Sequence, residues 1–252
     1  APPPNSCLHM FTLDFYRACA AHGDGPKQSN LGGVGPDSGA EELRFGDIGV
    51  ANGRTVDFVI TVAAGSGTYA AHKNWKNDCS EDGSQFMQLA LKNRHSSTFD
   101  FALRYADTDG LIPPTNFNLV VLDVDKDKQD VEQITAMGFE SYQLHSQTKL
   151  YNMGTASNPT FRGTKRNAPN PTDPKSLTST QQQSSVSYFY TNTNTWQMTF
   201  EITGGPANNG RLMLLGGGSN MADNCPPAPP TIPPSPPAPP SPPRLPPSPP
   251  SP

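Results

Sequence analysis

The C-terminal 27 residues, 226–252, contain 17 prolines and read PPAPPTIPPSPPAPPSPPRLPPSPPSP. Proline fixes φ near −65° and has no backbone N–H. A run this rich in proline therefore excludes helix, strand and hydrophobic core. It predicts an extended polyproline II rod, which at about 3.1 Å per residue would reach roughly 80 Å. The sequence therefore predicts a folded head, residues 1–225, followed by a polyproline II stalk, residues 226–252.

Most of the stalk divides into Pro-Pro-X triplets. Because polyproline II turns once in about three residues, each block in phase places its X residues along one edge of the rod. Ile232 and Leu245 are single insertions that break this period, and they are the only large apolar residues of the stalk. They represent either drift of the repeat or anchors that pack into a partner, and the second interpretation makes them docking residues.

The head has the composition of a turn-rich β protein, since the chain is 34% hydrophobic and 16% charged and contains 22 glycines. Asn52-Gly53 predicts a hairpin turn, and 117–123 is the most hydrophobic segment and therefore the expected central strand. A turn is also expected at 191–194, and a short helix at 176–183. The fold expected is all-β, a β-sandwich or jelly roll. The strands expected are 8–16, 42–50, 55–63, 86–91, 99–105, 117–123, 134–144, 148–152, 185–190, 196–202 and 211–215.

Charge and hydropathy argue against two classes of partner. The net charge is −4 and there is no basic block, which makes nucleic acid an unexpected ligand. No apolar run approaches the roughly 20 residues of a membrane span. The opening Ala1-Pro2-Pro3-Pro4 is interpreted as a mature N-terminus left after cleavage of a signal peptide.

The four cysteines are Cys7, Cys19, Cys79 and Cys225. An even number without CxxC spacing favours two disulfides over a zinc site, with three connectivities open. Position favours Cys7–Cys225, which would clamp both ends of the head, and leaves Cys19–Cys79 as the second bridge. Disulfides indicate an oxidising compartment and therefore secretion.

An acidic segment, DVDKDKQD, follows the predicted central strand. Alternate carboxylates at the end of a strand could converge on Ca²⁺, which prefers oxygen ligands. The segment is not an EF-hand loop, because Lys128 stands where glycine is needed and Ile134 where glutamate is needed. The alternative is a solvated turn. The candidate calcium ligands are Asp123, Asp125, Asp127 and Asp130.

The sequence contains no recognisable catalytic motif. Its five histidines are scattered without ligand spacing, and its glycine-rich stretches lack a phosphate-binding pattern. The prediction is a protein that is not an enzyme; a secreted hydrolase has little support. Trp75 and Trp196 could stack on a sugar, but a sandwich core would claim Trp196 equally well, and we expect Trp196 in the core.

Two parts of the chain resemble known proteins. The stalk resembles the proline-rich rods of green-algal hydroxyproline-rich extracellular glycoproteins such as pherophorins. Within roughly residues 43–218, segments such as NGRTVDFVITV, FNLVVLDVDKDKQDVEQITAMGFESYQL and TNTNTWQMTFEI are similar in order to an extracellular β domain of algal and protist surface proteins, including mastigoneme-type flagellar hair proteins. The chain departs from that pattern at 128–133, where the family has a glycine-rich, arginine-containing stretch.

The resemblance implies secretion, no known enzyme activity, and hydroxylation and O-glycosylation of the stalk. The implied modification sites are Pro226, Pro227, Pro229, Pro230, Pro233, Pro234, Ser235, Pro236, Pro237, Pro239, Pro240, Ser241, Pro242, Pro243, Pro246, Pro247, Ser248, Pro249, Pro250 and Ser251.

These features together predict a secreted structural glycoprotein subunit of an extracellular fibril, flagellar hair or cell-wall matrix. The expected partners are further copies of the chain, joined head to stalk, or other matrix glycoproteins. Tyr69, Trp75 and Tyr105 are the candidate walls of a groove for the stalk. The alternative is a Ca²⁺-dependent, lectin-like carbohydrate-binding head on a proline-rich spacer.

Overall fold

The computed structural model describes residues 10–23, 25–79, 86–155, 158–166 and 170–221. The whole stalk therefore lies outside the described residues, and with it Ile232, Leu245 and the implied modification sites. Cys7 and Cys225, with their predicted bridge, also lie outside them.

The described residues form fifteen strands and two short α-helices. The helices are α1 (Phe15–Ala20) and α2 (Ser179–Gln182). The strands are β1 (Met10–Phe11), β2 (Gln28–Ser29), β3 (Glu42–Ala51), β4 (Arg54–Val62), β5 (Asp78–Cys79), β6 (Met87–Lys92), β7 (Ser96–Tyr105), β8 (Thr115–Leu122), β9 (Asp130–Met137), β10 (Ser141–Leu144), β11 (Leu150–Asn152), β12 (Thr160–Gly163), β13 (Val186–Thr193), β14 (Thr195–Gly204) and β15 (Gly210–Gly216).

The strands form two sheets, and the predicted all-β sandwich is confirmed. The seven-stranded sheet has the order β10-β13-β8-β15-β6-β5, with β1 pairing parallel to the start of β8. The eight-stranded sheet has the order β11-β12-β9-β14-β7-β4-β3-β2. Apart from β1 and β8, all the paired strands in these two orders are antiparallel. The expected central strand, β8, lies between β13 and β15 inside the seven-stranded sheet.

The main core lies between the two sheets and is built by period-two alternation. In β7 every second side chain from Ser97 to Tyr105 is buried, and β14 alternates in the same way. Trp196 lies at the centre, stacked on Phe101 with 5.3 Å between ring centroids and 4.7 Å from the ring of Phe117 on the opposite sheet. Trp196 is 5% exposed, so the prediction that it belongs to the core is confirmed.

The outer face of the seven-stranded sheet carries a second, smaller core. Leu119 and Val121 face the main core, whereas Val120 and Leu122 belong to the separate cluster. Leu177, from the segment that contains α2, packs in this cluster. The chain therefore buries both faces of the seven-stranded sheet. The members of the cluster are Phe86, Val120, Leu122, Leu177, Leu214 and Met221.

The predicted hairpin turn at Asn52-Gly53 is confirmed. It joins β3 to β4, with Ala51 paired to Arg54 across the turn. Asn52 has φ 51° and Gly53 has φ 73°, the two left-handed residues that a type I′ turn requires. The predicted helix is also present in part, as α2, with Thr178 and Gln181 forming a capping box.

Three local predictions were wrong because the chain changes direction or sheet. Segment 8–16 is not one strand, since Asp14 caps α1 by accepting from Arg17 N at 3.0 Å. Segment 134–144 is split at Gly138, whose φ of 77° separates β9 from β10, and these two strands lie in different sheets. The residues 191–194 do not close a hairpin, because β13 and β14 also belong to different sheets. The strand β12 was not expected from the sequence.

Candidate functional site

The outer face of the eight-stranded sheet is polar and carries exposed side chains. Its register aligns four threonines in one rank across β12, β9, β14 and β7. Their hydroxyl groups pair at 2.8 Å, Thr160 with Thr135 and Thr199 with Thr98. Among the described residues, this face carries no second hydrophobic cluster like the one that covers the seven-stranded sheet. The two outer faces of the sandwich are therefore unlike.

A groove of about 400 Å³ crosses this face over β4, β7 and β14, and we call it the outer groove. Two ranks of outward side chains line it: Thr61, Asp100 and Gln197 in one, and Val59, Ala102 and Thr195 in the other. Arg104 stands at one end, and Phe101 and Trp196 complete the lining from the side of the core.

The polar rank of the outer groove contains a short hydrogen bond. Gln197 Nε2 donates to Asp100 Oδ1 at 2.6 Å, and Asp100 Oδ2 has no hydrogen-bond partner within the described part of the chain. Val59 and Ala102 supply an apolar floor in the next rank. The groove therefore offers hydrogen-bond donors, acceptors and a small apolar surface side by side.

A network of charges holds the end of the groove in place. Arg104 NH1 donates to the carbonyl of Asp109 at 2.6 Å, and Arg44 NH2 donates to the Asp109 carboxylate at 2.6 Å. The hydrogen bond from Arg44 holds the pKa of Asp109 below its usual value. Arg44 NH1 and Lys27 Nζ also donate to the buried Asp57, at 3.2 and 3.0 Å. These contacts fix Arg104 and its neighbours in one arrangement.

The structure corrects the calcium hypothesis for the acidic segment. Asp125 and Asp130 lie beside the guanidinium of Arg211, which also donates to Glu132 Oε1 at 3.3 Å. An arginine therefore supplies the positive charge that the calcium hypothesis gave to Ca²⁺. Asp127 instead lies 3.6 Å from the exposed Arg166, and Asp123 directly follows β8 with a left-handed φ of 59°. In the described ranges, no group of three or more His, Cys, Asp or Glu side chains is arranged to hold a metal ion.

The predicted aromatic groove walls do not form one groove. Tyr69 is 3% exposed, and its hydroxyl contacts Asn77 and the carbonyl of Ala90, so it belongs to the core and its assignment as a wall is wrong. Tyr105 is 8% exposed and is covered by the guanidinium of Arg54 at 3.7 Å from its ring centroid. Of the three, Trp75 alone is open to solvent, at 60%.

The predicted Cys19–Cys79 disulfide is present. It joins α1 to β5, at the edge of the seven-stranded sheet, and closes a loop of 60 residues. Both cysteines are buried. No helix within the described residues has the length and apolar character needed to cross a membrane.

Asp100, Gln197 and Arg211 are not among the site residues expected from the sequence. The alternation of β7 did carry a signal, because inward Phe99, Phe101 and Leu103 imply that the residues between them face outward. No local pattern says which strand lies next to β7, and Gln197 is 97 residues from Asp100.

Comparison with known proteins gives no family. No protein-family model matches the sequence, and no curated protein matches it. The N-terminal domain of the Streptococcus gordonii adhesin Sgo0707 is similar in structure, with a TM-score of 0.45, 12% identity and coverage of 69% of this chain and 47% of that one. The adhesin domain of PrgB from Enterococcus faecalis has a TM-score of 0.42, 8% identity and coverage of 71% and 64%. The chain thus spans less than two thirds of the length of either.

Proposed function

We propose that this chain is a secreted structural glycoprotein, a subunit of an extracellular fibre, flagellar hair or wall layer, in which the sandwich is a contact-making head and residues 226–252 form the stalk. One observation carries the proposal. The seven-stranded sheet is covered on its outer face by the chain's own residues, whereas the eight-stranded sheet presents a polar outer face with a groove of about 400 Å³. A head with one covered and one open face has a defined side on which to meet a partner.

The disulfide and the stalk support an extracellular setting. A buried Cys19–Cys79 bridge is typical of proteins that fold in an oxidising compartment. A polyproline II stalk leaves its backbone carbonyls unpaired, and hydroxylation and O-glycosylation of its prolines and serines would solvate them. The partners proposed are other copies of the chain or other matrix glycoproteins.

Copies of the chain are proposed to assemble through contacts between the head of one copy and the stalk of the next. The contact surface on the head is not the one expected from the sequence. Tyr69 is in the core, so the stalk cannot dock against it. The open face of the eight-stranded sheet replaces the aromatic groove as the contact surface. A contact between unlike surfaces of successive copies does not close on itself and therefore builds a filament. We propose no catalytic role.

The test compares assembly of three secreted variants by negative-stain electron microscopy. The full chain is expected to form fibres or an ordered layer, and deletion of residues 226–252 is expected to leave separate heads. Thr199→Arg, in the middle of the threonine rank, should also prevent assembly. Thr172→Arg, an exposed position in the segment leading to α2, is the matched control and should assemble normally. Normal fibres from the deleted chain would contradict the proposal.

A further inference from the structure

We propose that the outer groove is a binding site for a neutral oligosaccharide, held by Asp100, Gln197 and Arg104 over the floor made by Val59 and Ala102. This inference deepens the proposed function by naming the chemistry of a partner. It rests on the proposed function only for the choice of the open face as the contact surface.

The polar rank has the hydrogen-bonding character that sugar hydroxyl groups complement. A carboxylate oxygen only accepts, whereas a primary amide both donates and accepts. The 2.6 Å bond from Gln197 Nε2 to Asp100 Oδ1 orients both groups, and it leaves Asp100 Oδ2 without a partner in the described ranges. A hydroxyl group can donate to that oxygen while accepting from a neighbouring amide or hydroxyl group. Thr61 extends the same rank by one strand.

The charge of the groove favours a neutral ligand. Asp100 and Arg104 are the charged side chains of its lining, and their formal charges cancel. Arg104 NH1 donates to the carbonyl of Asp109 at 2.6 Å and lies 3.5 Å from the carboxylate of the same residue, and these contacts hold the guanidinium at the end of the groove. Asp100 would repel an anionic ligand, and Arg104 would repel a cationic ligand. Neither sign of charge is therefore complemented along the whole groove.

The dimensions of the two ranks suit a sugar ring. Residues two apart on a strand are separated by about 6.8 Å. The distance from the polar rank to the apolar floor is therefore about the length of one monosaccharide unit. Val59 and Ala102 are directly paired across β4 and β7 and make that floor continuous. A sugar can place its hydroxyl groups on Asp100 and Gln197 while its C–H surface covers the floor. The volume of about 400 Å³ falls among pockets that hold small ligands, about 300–1,000 Å³.

A polyproline segment is a weaker fit for the same groove. Polyproline II ligands typically dock between exposed aromatic rings. The aromatic members of this lining, Phe101 and Trp196, stack on each other in the core, so their rings are committed elsewhere. The stalk of a second copy is therefore the competing occupant that the experiment has to separate from a sugar.

The experiment titrates the full chain by isothermal calorimetry. The probes are neutral hexasaccharides of glucose, mannose, galactose and arabinose, with polygalacturonate as an anionic probe and decaproline as a stalk mimic. Three variants are compared after circular dichroism has verified that they fold. Gln197→Ala removes the amide, and Ala102→Leu fills the floor from the solvent side. Glu201→Ala is the matched control, because it lies on β14 and faces the same side without lining the groove.

At least one neutral hexasaccharide is expected to bind, with a dissociation constant between about 10 μM and 1 mM. Gln197→Ala should weaken that binding by about tenfold or more, as expected for a lost hydrogen bond in a small site. Ala102→Leu should abolish it, and Glu201→Ala should leave it within about twofold of the full chain.

Three results would overturn the inference: no hexasaccharide bound at about 10 mM, equal binding by the full chain and Ala102→Leu, or preferential binding of decaproline or polygalacturonate. The failure of the saccharide site is distinguishable from failure of the proposed function. Fibres that form normally without any sugar binding would remove only the saccharide site, whereas sugar binding by a chain that forms no fibres would remove only the structural role.

Discussion

Arg211 Nε donates a 3.3 Å hydrogen bond to Glu132 Oε1 and so joins β15 of the seven-stranded sheet to β9 of the eight-stranded sheet. The same guanidinium binds Asp125 and lies 3.6 Å from Asp130. Asn93 Nδ2 donates to Asp130 at 3.3 Å. Three largely buried acidic side chains therefore share one cation at the interface of the two sheets.

Removal of that cation should destabilise the head severely. Arg211→Leu removes the guanidinium that the buried Asp125, Asp130 and Glu132 share, and we expect a loss of about 3–5 kcal/mol in the free energy of unfolding. Arg166→Leu is the control, because Arg166 is exposed and lies 3.6 Å from Asp127, a pair expected to contribute less than about 1 kcal/mol. Urea denaturation followed by circular dichroism measures both. Equal midpoints for the two variants would refute a structural role for the Arg211 cluster.

Glu132 should make the stability of the head fall as pH rises. Burial raises the pKa of Glu132 well above its usual value of 4.5, although Arg211 opposes the shift. The folded state then keeps a proton that the unfolded chain has lost, so stability decreases as pH increases between the unfolded and the folded pKa. The contribution is complete below pH 4.5.

Urea midpoints measured from pH 4 upward test this dependence. Glu132→Gln does not titrate and should lose the part of the decline that belongs to this group. Glu201→Gln, on the outer face of β14, should retain the decline seen in the unaltered chain. The explanation fails if the Glu132→Gln variant shows the same pH profile as the unaltered chain.

The two tryptophans should differ sharply in their effect on stability. Trp196 contacts aromatic rings from both sheets, and Trp196→Ala should cost about 3–5 kcal/mol through lost contacts and a cavity. Trp75 is mostly exposed, and Trp75→Ala should change stability by no more than about 0.5 kcal/mol. Denaturation should be followed by far-ultraviolet circular dichroism, since both changes alter fluorescence. A small effect at Trp196 would mean that the core does not depend on it.

Loss of the Cys19–Cys79 bridge should destabilise the head by about 4 kcal/mol, the value expected from the entropy of a loop of 60 residues. The double variant Cys19→Ala, Cys79→Ala measures this directly, under oxidising conditions so that other cysteines are not reduced. A second measurement compares the urea midpoint of the double variant with that of the unaltered chain in dithiothreitol, which reduces the disulfide without changing the sequence. If the double variant unfolds at the same urea concentration as the oxidised chain, the bridge contributes nothing to stability.

The features that were predictable from sequence are those whose cause is local. Asn52-Gly53 forms its turn because both residues tolerate a positive φ, a property of the residues themselves. The alternation of 99–105 places Phe99, Phe101 and Leu103 on one face of the strand, because successive side chains point to opposite faces, and that face is buried in the structure. The Cys19–Cys79 bridge is different, because it joins residues 60 apart; it was expected only as the pair left over once Cys7 was assigned to Cys225, and the structure contains it.

The errors arose where the chain passes between sheets. The segment 134–144 has a continuous β pattern, yet Gly138 divides it between the two sheets. The segment 191–194 resembles a hairpin turn, yet β13 and β14 pair with different partners. Strand propensity does not distinguish a strand that turns back within one sheet from one that crosses to the other, because the choice depends on which apolar faces are buried together.

The sequence by itself determined that the head is a β-sandwich, where one hairpin turns, and which side chains of its clearest strands point inward, because these follow from the period of a strand and the backbone preferences of single residues. Only the tertiary structure decided which strands are neighbours. It brought Arg211 to Asp125 across 86 residues, replacing a predicted metal ion with a guanidinium, and it brought Gln197 to Asp100 across 97 residues to form the outer groove. Such contacts depend on the register of paired strands and on the burial of whole faces, and no short stretch of sequence carries that information.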